Sequence, residues 1–189
     1  RVGESLRACG LQEVQSLTLS NERDQFENVR WPNEGYVTEI ANPITSDHTL
    51  LRQYILPSLL RLLAANRHHE LPQRVYELGD VIRDSKNFLR AAWACAEVGS
   101  GFTSSKGIVQ ALLRDMGAIH DDVEFRPTDA EDGPWISGRG SHVFIQDEKI
   151  GEFGEIDPKV SAFFGIKSPI QAGEIDLETI YRIVPDPIS

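Results

Sequence analysis

His68-His69-Glu70 is the densest set of metal-capable side chains in this chain of 189 residues. Neighbouring residues on a helix project about 100° apart, so the three cannot converge on one ion without distant ligands. Cations at a helix C-terminus complement its dipole, and the set reads that way. Three short glycine motifs follow: Gly99-Ser100-Gly101, Gly138-Arg139-Gly140 and Gly151-Glu152-Phe153-Gly154. None carries the lysine and hydroxyl of a phosphate-binding loop, nor the full spacing of a dinucleotide fingerprint. They read as turns or as places of close backbone approach. The many carboxylates read as solvated surface groups, with no pair marked out as general acid and base. Histidine, serine and aspartate all occur, but no Gly-x-Ser-x-Gly turn exposes a nucleophile.

Composition narrows the field further. Lysine and arginine total 19 against 29 aspartates and glutamates, a formal net charge of −10. A field of that sign repels a phosphate backbone, so RNA contacts are expected elsewhere in any assembly. The most apolar stretch, residues 54–65, is interrupted by Pro57 and Arg61 and is far short of the roughly 20 residues of a membrane span. No membrane partner is expected. Cys9 and Cys95 stand in apolar surroundings without CxxC spacing, which fits reduced core thiols in a cytoplasmic protein. The chain begins at Arg1 and its single methionine is Met116, so a segment of a longer polypeptide is expected, folding as one domain over 1–189.

The elements that must position any site follow from apolar spacing. Residues 4–9 read as a helix end with Gly10 at the left-handed cap position. A strand is expected over 13–20, then a polar segment with turns to about residue 42. Thr45 or Ser46 caps an expected helix starting near Asp47, kinked or restarted at Pro57. Residues 73–83 read as a strand, and 89–98, apolar on both faces, as a central strand covered on each side. The spacing of Ile108, Val109, Leu112, Leu113 and Met116 predicts a helix over 103–116, stopped by Gly117. A hairpin is expected over 142–156, a short helix from Asp157-Pro158 to Gly165, and a last strand over 171–176. Together these make an α+β fold with a mostly antiparallel sheet and covering helices.

Four segments in fixed order carry a resemblance. They are Asn42-Pro43-Ile44-Thr45-Ser46 with the run from Leu51 to Leu60 and Asn66; Val75-Tyr76-Glu77-Leu78-Gly79-Asp80-Val81-Ile82; Lys86 to Arg90 with Gly101 to Gly107; and Ile150 to Pro158 with Glu174-Ile175-Asp176-Leu177. The set resembles the phenylalanyl-tRNA synthetase beta subunit in its archaeal and eukaryotic form. That resemblance implies a class II aminoacyl-tRNA synthetase-like fold. It also implies an alpha2-beta2 enzyme in which the alpha subunit activates phenylalanine with ATP and magnesium and charges tRNA. The region matched is a catalytic-like domain of the beta subunit, with the family's editing and winged modules and its magnesium-binding acids placed upstream.

A working class II site sets arginines against the ATP phosphates, one on the second-motif strand pair and one on the final strand-helix motif. Arg83 falls near the first position. It reads as a surface arginine at a strand end, with a weak anion site as the alternative. The final motif, Gly173 to Ile180, holds Glu174, Asp176 and Glu178 but no arginine. The resemblance therefore implies no catalytic group, metal or cofactor in this domain. Its first-motif counterpart makes Leu6, Cys9, Leu11, Val14, Leu17 and Leu19 candidates for a subunit interface. The function expected is that of an interaction domain supporting charging by the alpha subunit. The alternatives are a regulatory synthetase-like paralogue, or a domain with its own ATP-dependent carboxylate-adenylating activity.

Overall fold

Residues 1–99 and 101–184 are described by the computed structural model. In chain order they form α1 (Val2–Ala8), β1 (Gln12–Glu13), β2 (Leu19–Ser20), one π-helical turn (Arg23–Glu27), β3 (Leu50–Leu51), α2 (Leu56–Ala65), β4 (Gln73–Arg83) and β5 (Lys86–Ala96). The second half supplies α3 (Phe102–Asp115), a 3-10 turn (His120–Asp122), β6 (Val123–Pro127), β7 (Trp135–Ile145), β8 (Glu148–Ile156), α4 (Pro158–Phe163), β9 (Ile170–Asp176) and α5 (Leu177–Ile183). Seven strands join in the order β1-β4-β5-β9-β8-β7-β6, while β2 and β3 pair separately. Every pairing in the large sheet is antiparallel except that of β1 with β4.

Strand β5 explains why the sheet is covered on both faces. Side chains alternate along a strand, and here the two sets differ in size. Ala92, Ala94 and Ala96 face one core, where their small side chains let Leu56, Leu59, Leu60 and Leu63 of α2 pack close. Ala91, Trp93 and Cys95 face the other, with Leu6 of α1 and Ile108, Val109 and Leu112 of α3. Trp93 lies across Gly173 of the next strand, where any Cβ would run into its ring. Its indole N–H donates to Ser105 Oγ at 3.1 Å and Gln171 Oε1 at 3.3 Å, and Ser105 Oγ donates to the Ala172 carbonyl at 2.9 Å. One tryptophan thus fixes α3 to the sheet.

The two long hairpins turn through two-residue loops whose residues have positive φ, Asp84-Ser85 at 51° and 61° and Gln146-Asp147 at 50° and 66°. That backbone matches the right-handed twist of the flanking strands. Gly10 and Gly117 take the left-handed conformation after their helices, as their positions predict.

Three expectations need correction. Residues 13–20 are not one strand: the chain leaves the sheet edge after Glu13, and Leu19–Ser20 pairs with Leu50–Leu51 instead. The cause is Ser16, whose amide and hydroxyl both donate to Glu77 and draw the backbone off the edge. No helix starts near Asp47. Thr45 Oγ1 accepts from the Asp47 amide but closes only a turn, and helical structure begins at Leu56. The central strand runs Lys86–Ala96 rather than to residue 98, and β6 was hidden in a polar segment. Ser100, inside one of the glycine motifs, lies outside the described residues.

Candidate functional site

Glu77, Ala92, Glu174, Glu152 and His142 stand in register across five neighbouring strands. Residues paired directly share a face, so this is one row on the side of the sheet that α2 covers. The three glutamates are 3%, 1% and 7% exposed. A carboxylate so far from water must be answered by donors or cations.

Each is answered from within the chain. Glu77 takes Arg52 Nη2 at 2.8 Å and the amide and hydroxyl of Ser16. Arg52 is itself buried, and its Nε reaches the Asp80 carbonyl at 3.1 Å. Glu174 Oε1 accepts from the amides of Ile55 and Leu56 at 2.8 and 2.6 Å, and its Oε2 from Arg90 Nε at 2.6 Å. Helix α2 receives its negative N-terminal partner this way, with Pro57 in a first-turn position that needs no amide. Burial works against the Arg90 charge, but Glu174 outweighs it and holds that guanidinium above its ordinary pKa. Glu152 accepts from the indoles of Trp31 at 3.2 Å and Trp135 at 2.8 Å, and from Lys149 Nζ at 2.9 Å. His142 ends the row, its Nε2 at 3.0 Å from Asp132.

The row therefore pins the long excursion between β1 and α2 onto the sheet at Ser16, Trp31, Arg52 and Ile55. The other acids at the end of the last strand and the start of α5 are also occupied. Asp176 caps α5 through the Thr179 amide at 3.1 Å and hydroxyl at 2.7 Å, and Glu178 accepts the Leu89 amide at 3.1 Å. Sequence reasoning missed this role by reading the carboxylates as solvated. A usable signal was present: Glu77, Glu152 and Glu174 each interrupt an apolar strand at a position that faces the core. Arg90 was missed for a related reason, since its partner is 84 residues away.

Arg83 is not a solvated strand end. It is partly buried, donates from Nε and Nη2 to the Gln53 carbonyl at 3.2 and 2.8 Å, and lies over the Tyr54 ring at 4.9 Å. Burial, with Arg90 adding to it, pulls its pKa below the ordinary guanidinium value. Burial also pushes the Tyr54 phenol up, and that hydroxyl donates to the Pro32 carbonyl.

The six interface candidates separate into three groups. Leu6, on the inward apolar face of α1, and Leu11, in the link between α1 and β1, lie buried in the core beside α3. Cys9 packs against the same core and Val14 against the opposite one, both partly buried. Leu17 is 61% exposed, and with Leu19 and Leu62 it lines a groove of about 370 Å³ between β2 and α2. Neither thiol is in a disulfide, and burial pushes Cys95 up to about 12. His68 and His69 lie just past α2, and among the described residues no three His, Cys, Asp or Glu side chains are grouped to hold a metal. Among those residues, too, no helix is long and apolar enough to cross a membrane.

Comparison with known proteins places the fold and the family. The chain's fold is similar to that of the Desulfitobacterium hafniense pyrrolysyl tRNA synthetase PylSc, with a TM-score of 0.76 over 96% of this chain and 66% of that one, at 14% identity. The likeness shows the fold, that of the class II synthetases. In sequence, the chain is similar to the phenylalanine–tRNA ligase beta subunits of Archaeoglobus fulgidus (34% identity over 94% of this chain and 32% of the relative) and Methanopyrus kandleri (37% over 95% and 31%). The beta subunit of Pyrococcus furiosus is 39% identical over 92% of this chain and 31% of its own length. The chain thus spans about a third of the length of the curated relatives it matches. A family model, the phenylalanyl tRNA synthetase beta chain CLM domain, matches residues 1–177, and the chain belongs to that family.

Proposed function

We propose that this chain is an interaction domain of a phenylalanine–tRNA ligase beta subunit, and that it supports charging without supplying catalytic groups. On this reading a cytoplasmic alpha2-beta2 assembly binds ATP, magnesium, phenylalanine and tRNA, and the alpha subunit carries the chemistry. The observation that carries it is the buried row of Glu77, Glu174 and Glu152 across the sheet face where a class II site would sit. Each acid is spent on holding this chain's own backbone and side chains. A triphosphate laid on that face would meet carboxylates whose cations are already engaged.

The surface offered to the alpha subunit is the groove at Leu17 and Leu19, which keeps large apolar side chains in water beside the ordered α2. Leu17→Glu in the full-length beta subunit is expected to lose co-purification with alpha while the beta fold persists. Retention of a normal complex would move the interface elsewhere. For the chemistry, Lys149 serves Glu152 alone on this reading, so Lys149→Gln in the assembled enzyme keeps the rate of phenylalanine-dependent ATP–pyrophosphate exchange. A fall of two orders of magnitude, the scale of losing a transition-state contact, would put catalysis in this domain.

A further inference from the structure

Strand β6 ends the large sheet, and its outer edge pairs with no strand among the described residues. The Gln146 amide donates to the Asp122 carbonyl and the Thr128 amide to the Gly140 carbonyl, both at 3.1 Å, which fixes the phase of the ladder. Along an antiparallel strand, successive residues turn their backbone groups first to one neighbour and then to the other. Glu124 and Arg126 therefore bond to β7, whereas Val123, Phe125 and Pro127 turn theirs outward. The Val123 amide is taken by the His120 carbonyl, and proline has no amide proton to give. The Phe125 amide and the Val123, Phe125 and Pro127 carbonyls are left over, the set that an added antiparallel strand bonds.

Beside that edge, α3, the link after it and β6 enclose an open groove of about 400 Å³. Its floor is apolar, Leu113 with the half-buried Val123 and Phe125, and Ile119 in the adjoining link is 65% exposed. Its charged walls are all of one sign. Lys106 lies over the Phe125 ring at 5.4 Å, Arg114 belongs to the last turn of α3, and His120 to the turn before Val123. Among the described residues no carboxylate lies within 4.0 Å of Lys106 or His120, and Arg114 has its exposed neighbour Asp115 at 3.6 Å, a pair worth little. Glu124 pairs instead with Arg126 on the other face of the strand, and Asp122 accepts from Gln146. Such a wall on a chain of net charge −10 selects an acidic occupant and repels a second copy laid edge to edge, which brings the same cations. A phosphate backbone offers no amide to the edge carbonyls. We propose that β6 is a docking edge for an extended acidic segment of a partner protein, added antiparallel to β6. It sets an apolar side chain on the floor at Leu113 and Phe125, one carboxylate at Lys106 and another at Arg114 and His120. This surface is on the α3 face, away from the Leu17 groove beside α2, and does not rest on the function proposed above.

Fluorescence anisotropy with the full-length protein, in the assembly in which it purifies, tests the edge with the dye-labelled peptide Thr-Glu-Thr-Ile-Thr-Glu-Thr. In a strand its glutamates and isoleucine share one face and its threonines the other. The peptide is expected to bind, and its Lys-for-Glu counterpart to bind about tenfold or more weakly. Methylating the backbone nitrogens of the Glu-Ile-Glu set is expected to abolish binding, since those amides face β6, and methylating the threonine set to leave it, since those face water. Lys106→Gln combined with Arg114→Gln, at positions that are not buried, is expected to weaken the peptide about tenfold. Equal affinity for wild type and this double variant, or no binding at all, overturns the proposal. Binding that survives methylation of the Glu-Ile-Glu set overturns strand addition without any change to the protein. An oligouridylate hexamer that binds more tightly than the peptide, and is lost in the double variant, makes this an RNA surface instead. Self-association that excludes the peptide makes the occupant a second copy.

Discussion

Glu174 on the ninth strand caps the helix that opens at Leu56, its Oε1 2.6 Å from the Leu56 amide and its Oε2 2.6 Å from Arg90. One carboxylate therefore satisfies a helix N-terminus and a buried cation together. Truncation to Glu174→Ala leaves Arg90 buried and unpaired, a change that costs about 3–5 kcal/mol in comparable ion pairs. Denaturant unfolding is the measurement. Stability within about 1 kcal/mol of wild type would mean that Arg90 finds water or another acid when Glu174 is gone.

Leu112 is fully buried between α3 and the sheet. Leu112→Ala is expected to destabilise by roughly 2–5 kcal/mol through lost transfer energy and a residual cavity. An unchanged melting temperature would show that the helix does not pack as described.

Acid should weaken the corner where Asp157 starts α4. Burial alone would raise its pKa, but the Lys159 amide and Arg30, 3.1 Å away, outweigh it and hold the carboxylate below its ordinary value. A folded-state pKa below the unfolded one gives stability that is present above about pH 4 and lost as pH falls through the folded value. Asp157→Asn should flatten the stability–pH curve in that acid window and leave the neutral-to-alkaline limb alone. A parallel curve in the variant would refute the linkage.

Leu6 and Leu17 are expected to respond in opposite ways to a charge. Leu6→Glu buries an unpaired carboxylate in the core and should unfold the domain, whereas Leu17→Glu adds a charge at an exposed position and should leave the melting temperature nearly unchanged. Circular-dichroism melts of the two variants decide it, and equal destabilisation would place Leu17 in the core.

How much of this was legible in the sequence depended on the reach of each interaction. Strand β4 over residues 73–83 and helix α3 follow from local periodicity, and both lie where the spacing puts them. The strand expected over 13–20 failed because the deciding partner of Ser16, Glu77, is 61 residues distant, and the true start of the helix at Leu56 is set by Glu174, 118 residues away. The row of glutamates needs strand register, which a single sequence does not reveal until the pairing order is known. Leu6 shows the same gap, since an apolar face on a helix does not say whether its own sheet or another molecule will cover it. Arg83 fell between these cases: its position in the second motif was visible, but not its place on Tyr54.

The capping of α2 by Glu174 also sets an order of events during synthesis. At about 5–20 residues per second, the 118 positions separating Leu56 from Glu174 take roughly 6–24 s to emerge from a ribosome. Through that interval the leucine-rich helix has neither its N-terminal carboxylate nor the ninth strand beneath it. The nascent N-terminal portion can rest Leu59, Leu60 and Leu63 on the alanines of β5 once that strand has emerged, but the helix N-terminus stays uncapped until the last strand slides between β5 and β8 and closes the sheet.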